Sequence, residues 1–209
     1  MPTPSLTTLS GLIALTVLLL SARPAAAQNL YRINCGGNGF VDIGGNTWVA
    51  DRYFVGGTAY SNGNEPIMGT ADDTLYVSER NWDKKENTPA YVLPVSVPGR
   101  YSLRIHFAAN CECASKPGDR VFGLNLQGAQ LLPQTFDLVE EGGFRSALVY
   151  TVQVDVQPGD PLTVRLDFVR VKGRPVISGI ELTLVEETLT TTSTTTTRVP
   201  TTVRHIKLH

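Results

Sequence analysis

The chain has little of what catalysis, metal binding or nucleic-acid binding would need. Three histidines occur in 209 residues, and only His106 lies outside the C-terminal tail. One imidazole among scattered acids is a poor metal site, and no metal or other cofactor is expected. No nucleophile motif or histidine relay is present. Asp72, Asp73, Glu79 and Asp83 cluster in sequence, as the two carboxylates of a glycosidase would have to cluster in space. Acids on a polar loop are more simply a solvated surface, and the expectation is that the protein is not an enzyme. Calcium held by Asp42, Asp72 or Asp73 would need a ligand loop of recognisable spacing, and none appears. The net charge is only −1 with no basic run, so nucleic acid is excluded as an expected partner. The chain also has no Asn-x-Ser/Thr acceptor for N-glycans.

Long apolar runs are scarce as well. Gly11 to Leu20 is one, too short to span a bilayer comfortably. Pro24 and Ala25-Ala26-Ala27 follow, with small residues where signal peptidase needs them, so residues 1–27 read as a signal peptide cleaved after Ala27. No Lys or Arg precedes the apolar run, which departs from the usual pattern. No second stretch is long enough for a membrane span. The expected location is outside the cell, on the secretory route, rather than the lumen of the endoplasmic reticulum.

The far end, residues 188–209, is dominated by threonine and shows no apolar periodicity. It cannot repay the entropy of ordering. It reads as a disordered linker or O-glycosylated stalk through which the domain could be tethered.

Three cysteines, Cys35, Cys111 and Cys113, lie in the body of the chain. An oxidising compartment permits a disulfide, and an odd number leaves one thiol over. Cys35 could pair with Cys111 or with Cys113. A Cys111–Cys113 bridge would close a very small ring and is the less expected pairing.

Residues 28–187 suffice for one domain with a sizeable core. Strict alternation marks their second half. Tyr101, Leu103, Ile105 and Phe107 share one face, and Ser102, Arg104 and His106 the other. Phe122, Leu124 and Leu126 alternate likewise, as do Leu148 to Val156, Leu162 to Phe168, and Ile180, Leu182 and Leu184. Period two with one polar face predicts antiparallel sheet. Pro98-Gly99, Lys116-Pro117-Gly118-Asp119, Gly142-Gly143 and Pro158-Gly159-Asp160 punctuate the runs as turns. No convincing amphipathic helix is found. An all-β, antiparallel β-sandwich is expected. Residues 48–90 are polar yet carry Tyr53, Phe54, Tyr60, Tyr76 and Trp82. They predict ordered loops at one end of the sandwich, with a short strand near Thr74 to Ser78.

The opening of the domain is the most distinctive stretch. Leu30 to Cys35 is strand-like and runs into Gly36, Gly37, Gly39, Gly44 and Gly45 before Trp48 and Asp51. Then come Leu75-Tyr76, Ser78-Glu79-Arg80, Tyr91-Val-Leu-Pro-Val, Tyr101-Ser-Leu-Arg-Ile-His-Phe-Ala, Arg120-Val-Phe, Phe136-Asp137 and Ile177-Ser-Gly-Ile-Glu-Leu182. In this order and spacing the chain resembles a malectin domain, of the type also found in the extracellular regions of plant receptor kinases. The resemblance covers about residues 30–185 and implies a jelly-roll-like sandwich that binds carbohydrate, without catalysis, through loops at one end. Trp48 and Asp51 then read as scaffold.

In the family, loop aromatics and an aspartate near the last strand make the sugar site. Their positions here carry other residues: Asn62 near Tyr60, Asn81 with Trp82 adjacent, Cys111-Glu112, and Gly173-Arg174-Pro175 with no acid. Sugars stack their C–H faces on aromatic rings and bond to planar amides and carboxylates. Tyr60, Asn62, Asn81, Trp82 and Glu112 are therefore the candidate carbohydrate-binding residues. The same residues would otherwise pack loops and form turns. Glu79 and Arg80 read as a structural ion pair. The alternative function is an extracellular module that binds a protein or peptide, the sugar site having been lost.

Overall fold

The computed structural model describes residues 28–85 and 87–187; the expected signal peptide (1–27) and threonine-rich segment (188–209) lie outside the described residues. Fourteen strands run through the described residues: β1 (Gln28–Asn34), β2 (Phe40–Val41), β3 (Thr47–Ala50), β4 (Phe54–Val55), β5 (Thr58–Ser61), β6 (Ser78–Asn81), β7 (Ala90–Pro94), β8 (Gly99–Ala108), β9 (Val121–Leu126), β10 (Ala129–Leu132), β11 (Ala147–Val156), β12 (Thr163–Lys172), β13 (Val176–Ile177) and β14 (Gly179–Glu187). One short helix, α1 (Leu138–Gly142), interrupts them. The strands form a six-stranded sheet in the order β11-β8-β14-β1-β3-β2 and a five-stranded sheet in the order β10-β9-β12-β7-β4. A three-stranded sheet has the order β13-β6-β5. Pairing is antiparallel except between β1 and β3.

The two large sheets form a sandwich because each alternating run offers one apolar face. Tyr101, Leu103, Ile105 and Phe107 of β8 join a single buried cluster with Phe122, Leu124 and Leu126 of β9 and Val164, Leu166 and Phe168 of β12. Phe107 meets Phe122 across the interface at 6.0 Å between ring centroids. Each such side chain contributes roughly 1.5–3 kcal/mol when fully buried. Leu162, placed by the alternation in the same run as Leu166, instead precedes β12 and is exposed.

The glycine-rich opening turn is pinned from three sides. Gly36 has φ +74°, and a Cβ there would lie 2.0 Å from the Glu79 carbonyl oxygen, so only glycine fits. Its N–H donates to the Asp51 carboxylate at 2.6 Å. Asp51 also accepts from Arg80 Nε at 2.6 Å and from the Tyr91 hydroxyl at 2.8 Å. Arg80 thus pairs with Asp51, while Glu79 turns to Arg120, which corrects the expected Glu79–Arg80 pair. Neighbours on an extended strand point to opposite faces, so the two had to find separate partners.

One face of β8 is polar in sequence but buried at its far end. Trp48, Ile67, Leu75 and Tyr76 cover it as a second small core. Beneath them, His106 Nε2 meets Glu181 Oε1 at 3.0 Å and His106 Nδ1 meets the Tyr76 hydroxyl at 3.0 Å. With Nε2–H donating to Glu181, Nδ1 accepts from Tyr76, and the ring is satisfied when neutral. Arg104 and Arg32 hold Glu181 from its other sides, and Trp48 packs edge-on against the imidazole. Burial pushes the His106 pKa below its ordinary 6.5. The unfolded chain therefore takes up a proton first. Stability is complete above pH 6.5 and is lost as pH falls from there to the folded pKa, by up to about 1.4 kcal/mol per pH unit. Urea titrations at pH 7.5 and pH 5.5 should show this loss, and His106→Gln should flatten it. An unchanged slope in the variant would assign the acid sensitivity to other groups.

β1 and β14 are neighbours, and Gln28 stands opposite Leu184. Leu184 in turn stands opposite Tyr101, near the start of β8. The first and last described strands thus leave the sandwich side by side at the end where β8 begins.

Candidate functional site

At the other end, beyond Ala108, a cleft of about 400 Å³ opens between β5, β6 and the loops around residues 111–114, 119–120 and 173–174. Within the region expected to be loops, β5 and β6 are strands of the small β13-β6-β5 sheet. The strand expected at Thr74 to Ser78 is a three-ten turn, Asp73–Tyr76, capped by Asp72, and the strand follows at Ser78–Asn81.

The rim is held by local chemistry. Asp137 caps α1 by accepting from Val139 and Glu140 N–H, and it also accepts from Gly118 N–H, which ties the 116–120 turn to the helix start. Gly173 has φ +70°, and a Cβ there would lie 2.3 Å from the Asp119 carbonyl oxygen. Glycine at this turn lets the 119–120 and 173–174 loops touch.

Glu79 is the floor of the site. Its side chain is 2% exposed and accepts from Arg120 Nη1 at 3.1 Å, Asn62 Nδ2 at 3.2 Å and Asn81 Nδ2 at 3.4 Å. Arg174 Nη1 donates to the Asn81 amide oxygen at 3.4 Å. Arg120 is buried too, and its Nε–H has no hydrogen-bond partner among the described residues. A buried pair of this kind breaks even only when its remaining donors are satisfied.

The candidate residues fare differently. Tyr60 lines the cleft and is 48% exposed, so its ring is available for contact. Asn81 lines the cleft but is largely buried, joined to Glu79 and Arg174. Asn62 is not part of the lining but bonds to Glu79, and its buried amide oxygen has no partner among the described residues. Glu112 sits on the rim loop and pairs with Arg145 at 2.8 Å. Trp82 is fully buried: it stacks on Phe168 at 4.5 Å, packs edge-on against Tyr91 and donates Nε1–H to the Val55 carbonyl. A ring wholly inside the core offers no face to a sugar, so the structure removes Trp82 from the candidates.

The cysteines also need correction. Cys111 and Cys113 are joined to each other, with Cα atoms 5.1 Å apart, inside the ordinary range. Cys35 is a free, fully buried thiol whose pKa burial pushes up. It lies in the core while the other two line the cleft, so no bridge from Cys35 is formed. Glu79, Arg120 and Arg174 also line the cleft and were not among the expected residues. The Ser-Glu-Arg motif flagged Glu79, but nothing local announces that its partner is 41 residues away.

Comparison with solved structures finds this fold in plant receptor ectodomains. The crystal structure of the plant receptor-like kinase FER superposes with a TM-score of 0.68 at 18% identity, covering 78% of this chain and 50% of that one. The ANX1 ectodomain from Arabidopsis thaliana gives 0.67 at 17% identity, with coverage of 78% and 50%. A structure of the plant peptide RALF23 in complex with FER and LLG2 gives 0.66 at 19% identity, again covering 78% and 50%. The chain spans about half the length of these matched chains. No curated protein sequence matches it. No described helix is long and apolar enough to cross a membrane. The malectin domain family matches residues 29–180, and so the chain belongs to the malectin domain family.

Proposed function

We propose that the domain is a non-catalytic, extracellular recognition module, and that its cleft takes a peptide or protein segment. The observation that carries this is the chemistry of the cleft. It offers one exposed ring, Tyr60, over a floor of joined charges, Glu79 and Arg120, with Arg174 at the rim. A single aromatic anchor beside charged hydrogen-bonding groups is what a peptide contact uses. The complex of RALF23 with FER and LLG2 supports the reading, since a protein of the same fold takes part in a peptide complex there. Catalysis is disfavoured because three donors already engage Glu79, so it is not free to move a proton in the way general acid–base chemistry requires.

A second reading, carbohydrate binding, is favoured by one observation: the Tyr60 ring and the Asn81 amide line the same cleft. One experiment separates the two. Tyr60→Ala should weaken binding of a selected peptide by about thirtyfold, the scale of an interface hot spot, and leave the melting temperature unchanged. A glycan array should stay silent. Saturable glycan binding that disappears in Tyr60→Ala would transfer the site to sugars, and peptide binding indifferent to Tyr60 would move it out of this cleft.

A further inference from the structure

We infer that the Arg120–Arg174 side of the cleft is a receptor for a carboxylate carried by a peptide: an Asp or Glu side chain, or a free C-terminus. The inference rests on the cleft being the binding site and adds the chemistry of what it selects. Two observations converge. The Nε–H of Arg120 is buried and unpartnered, on a side chain that lines the cleft. Arg174 is exposed at the rim, and among the described residues its guanidinium makes one hydrogen bond, a long one to Asn81 at 3.4 Å. A guanidinium has five N–H donors in a planar fork, so most of Arg174 is available.

Two carboxylates, Glu79 and Asp119, share the lining with the two arginines, so the formal charges balance and the receptor consists of the unused N–H donors of Arg174 rather than a net positive field. Glu79 is the buried partner of Arg120. Asp119 has one carboxylate oxygen accepting from the Lys116 backbone N–H at 3.0 Å. Glu79 thus engages Arg120, while the donors of Arg174 are left to bind an anion. A carboxylate bound bidentately by Arg174 would make the strong, charge-assisted bonds that arginine forks favour. Tyr60, across the cleft, would pack on the neighbouring peptide residue. The peptide is favoured over an acidic sugar because the lining shows one exposed ring and not a stack of them.

The test is selection of a random heptapeptide display library on the full chain, followed by anisotropy titration of the most enriched peptide. The selected pool should be enriched in Asp and Glu. Binding should weaken as salt rises, since screening shortens to about 3 Å at 1 M. Arg174→Gln should weaken it by about tenfold or more, on the scale of one charge-assisted hydrogen bond, and Arg174→Lys should restore part of the loss. Arg100→Gln, which breaks the exposed pair with Asp155, should change nothing. A pool without acidic enrichment that still depends on Tyr60 would overturn the carboxylate receptor and leave the peptide module standing. An oligomer of a uronic acid that binds in an Arg174-dependent way, with no acidic peptide selected, would overturn the peptide assignment. No enrichment at all would overturn both.

Discussion

Asp51→Ala will melt on the order of 10 °C below the parent protein. The carboxylate of Asp51 is 7% exposed and sits 2.6 Å from Arg80 Nε, 2.6 Å from the Gly36 N–H and 2.8 Å from the Tyr91 hydroxyl. Removing it strands the Arg80 guanidinium, which is equally buried and otherwise meets, among the described residues, the uncharged Gly56 and Gly57 carbonyls and the face of Phe54. Breaking one side of a buried pair costs about 3–5 kcal/mol, because the surviving charge is uncompensated. In a domain of this size each kcal/mol is worth roughly 2–4 °C. The double variant Asp51→Ala/Arg80→Leu should recover a good part of the loss, since it removes the stranded charge as well. Differential scanning calorimetry measures both. A single variant melting within about 2 °C of the parent would mean that the hub does not hold the opening turn.

Trp82→Ala will be destabilised by a similar amount, about 3–5 kcal/mol, for a different reason. The indole is fully buried, lies 4.5 Å from the Phe168 ring, and fixes β4 to the core through its bond to the Val55 carbonyl. Its loss leaves a large cavity and an unpaired carbonyl. Trp82→Phe keeps a ring against Phe168 and should cost only about 1–2 kcal/mol. Peptide binding by Trp82→Phe, measured well below its melting temperature, should match the parent. Loss of binding in Trp82→Phe at full stability would instead place the ring in the site.

The contrast between Trp82 and Tyr60 shows where sequence reading stops. Both are aromatics in a polar stretch, and period two has no purchase on strands as short as β4, β5, β6 and β13. All four residues of β6 are buried and all four of β5 are exposed, and no local pattern separates those cases. Where the strands are long, as in β8, β11 and β12, alternation alone identified the inward residues, because the pleat fixes their direction. His106 marks a second limit. It lies on the polar face as its parity requires, yet is covered by Trp48 and Tyr76 from a distant segment. The site follows the same division. The family resemblance pointed to the loops around residues 111–113 and 173–175, and the cleft is lined by Cys111, Cys113, Gly173 and Arg174 of those loops. The partnership on the cleft floor, Glu79 with Arg120, and that of the opening turn, Asp51 with Arg80, join residues 41 and 29 positions apart and leave no trace in either neighbourhood. The Cys111–Cys113 bridge went unforeseen because ring size argued against it, whereas burial had already withdrawn Cys35.

The side-by-side departure of β1 and β14 has a mechanical consequence. The ten residues of β8 put about 30 Å between that end and the cleft. A pull between the two ends of the domain would load the β1–β14 ladder like a zipper, opening its rungs one after another at low force. A pull between a ligand in the cleft and either end would run along the strands and load many rungs at once, in shear. The same domain is thus soft when stretched across its own ends and stiff when it carries tension from what it holds.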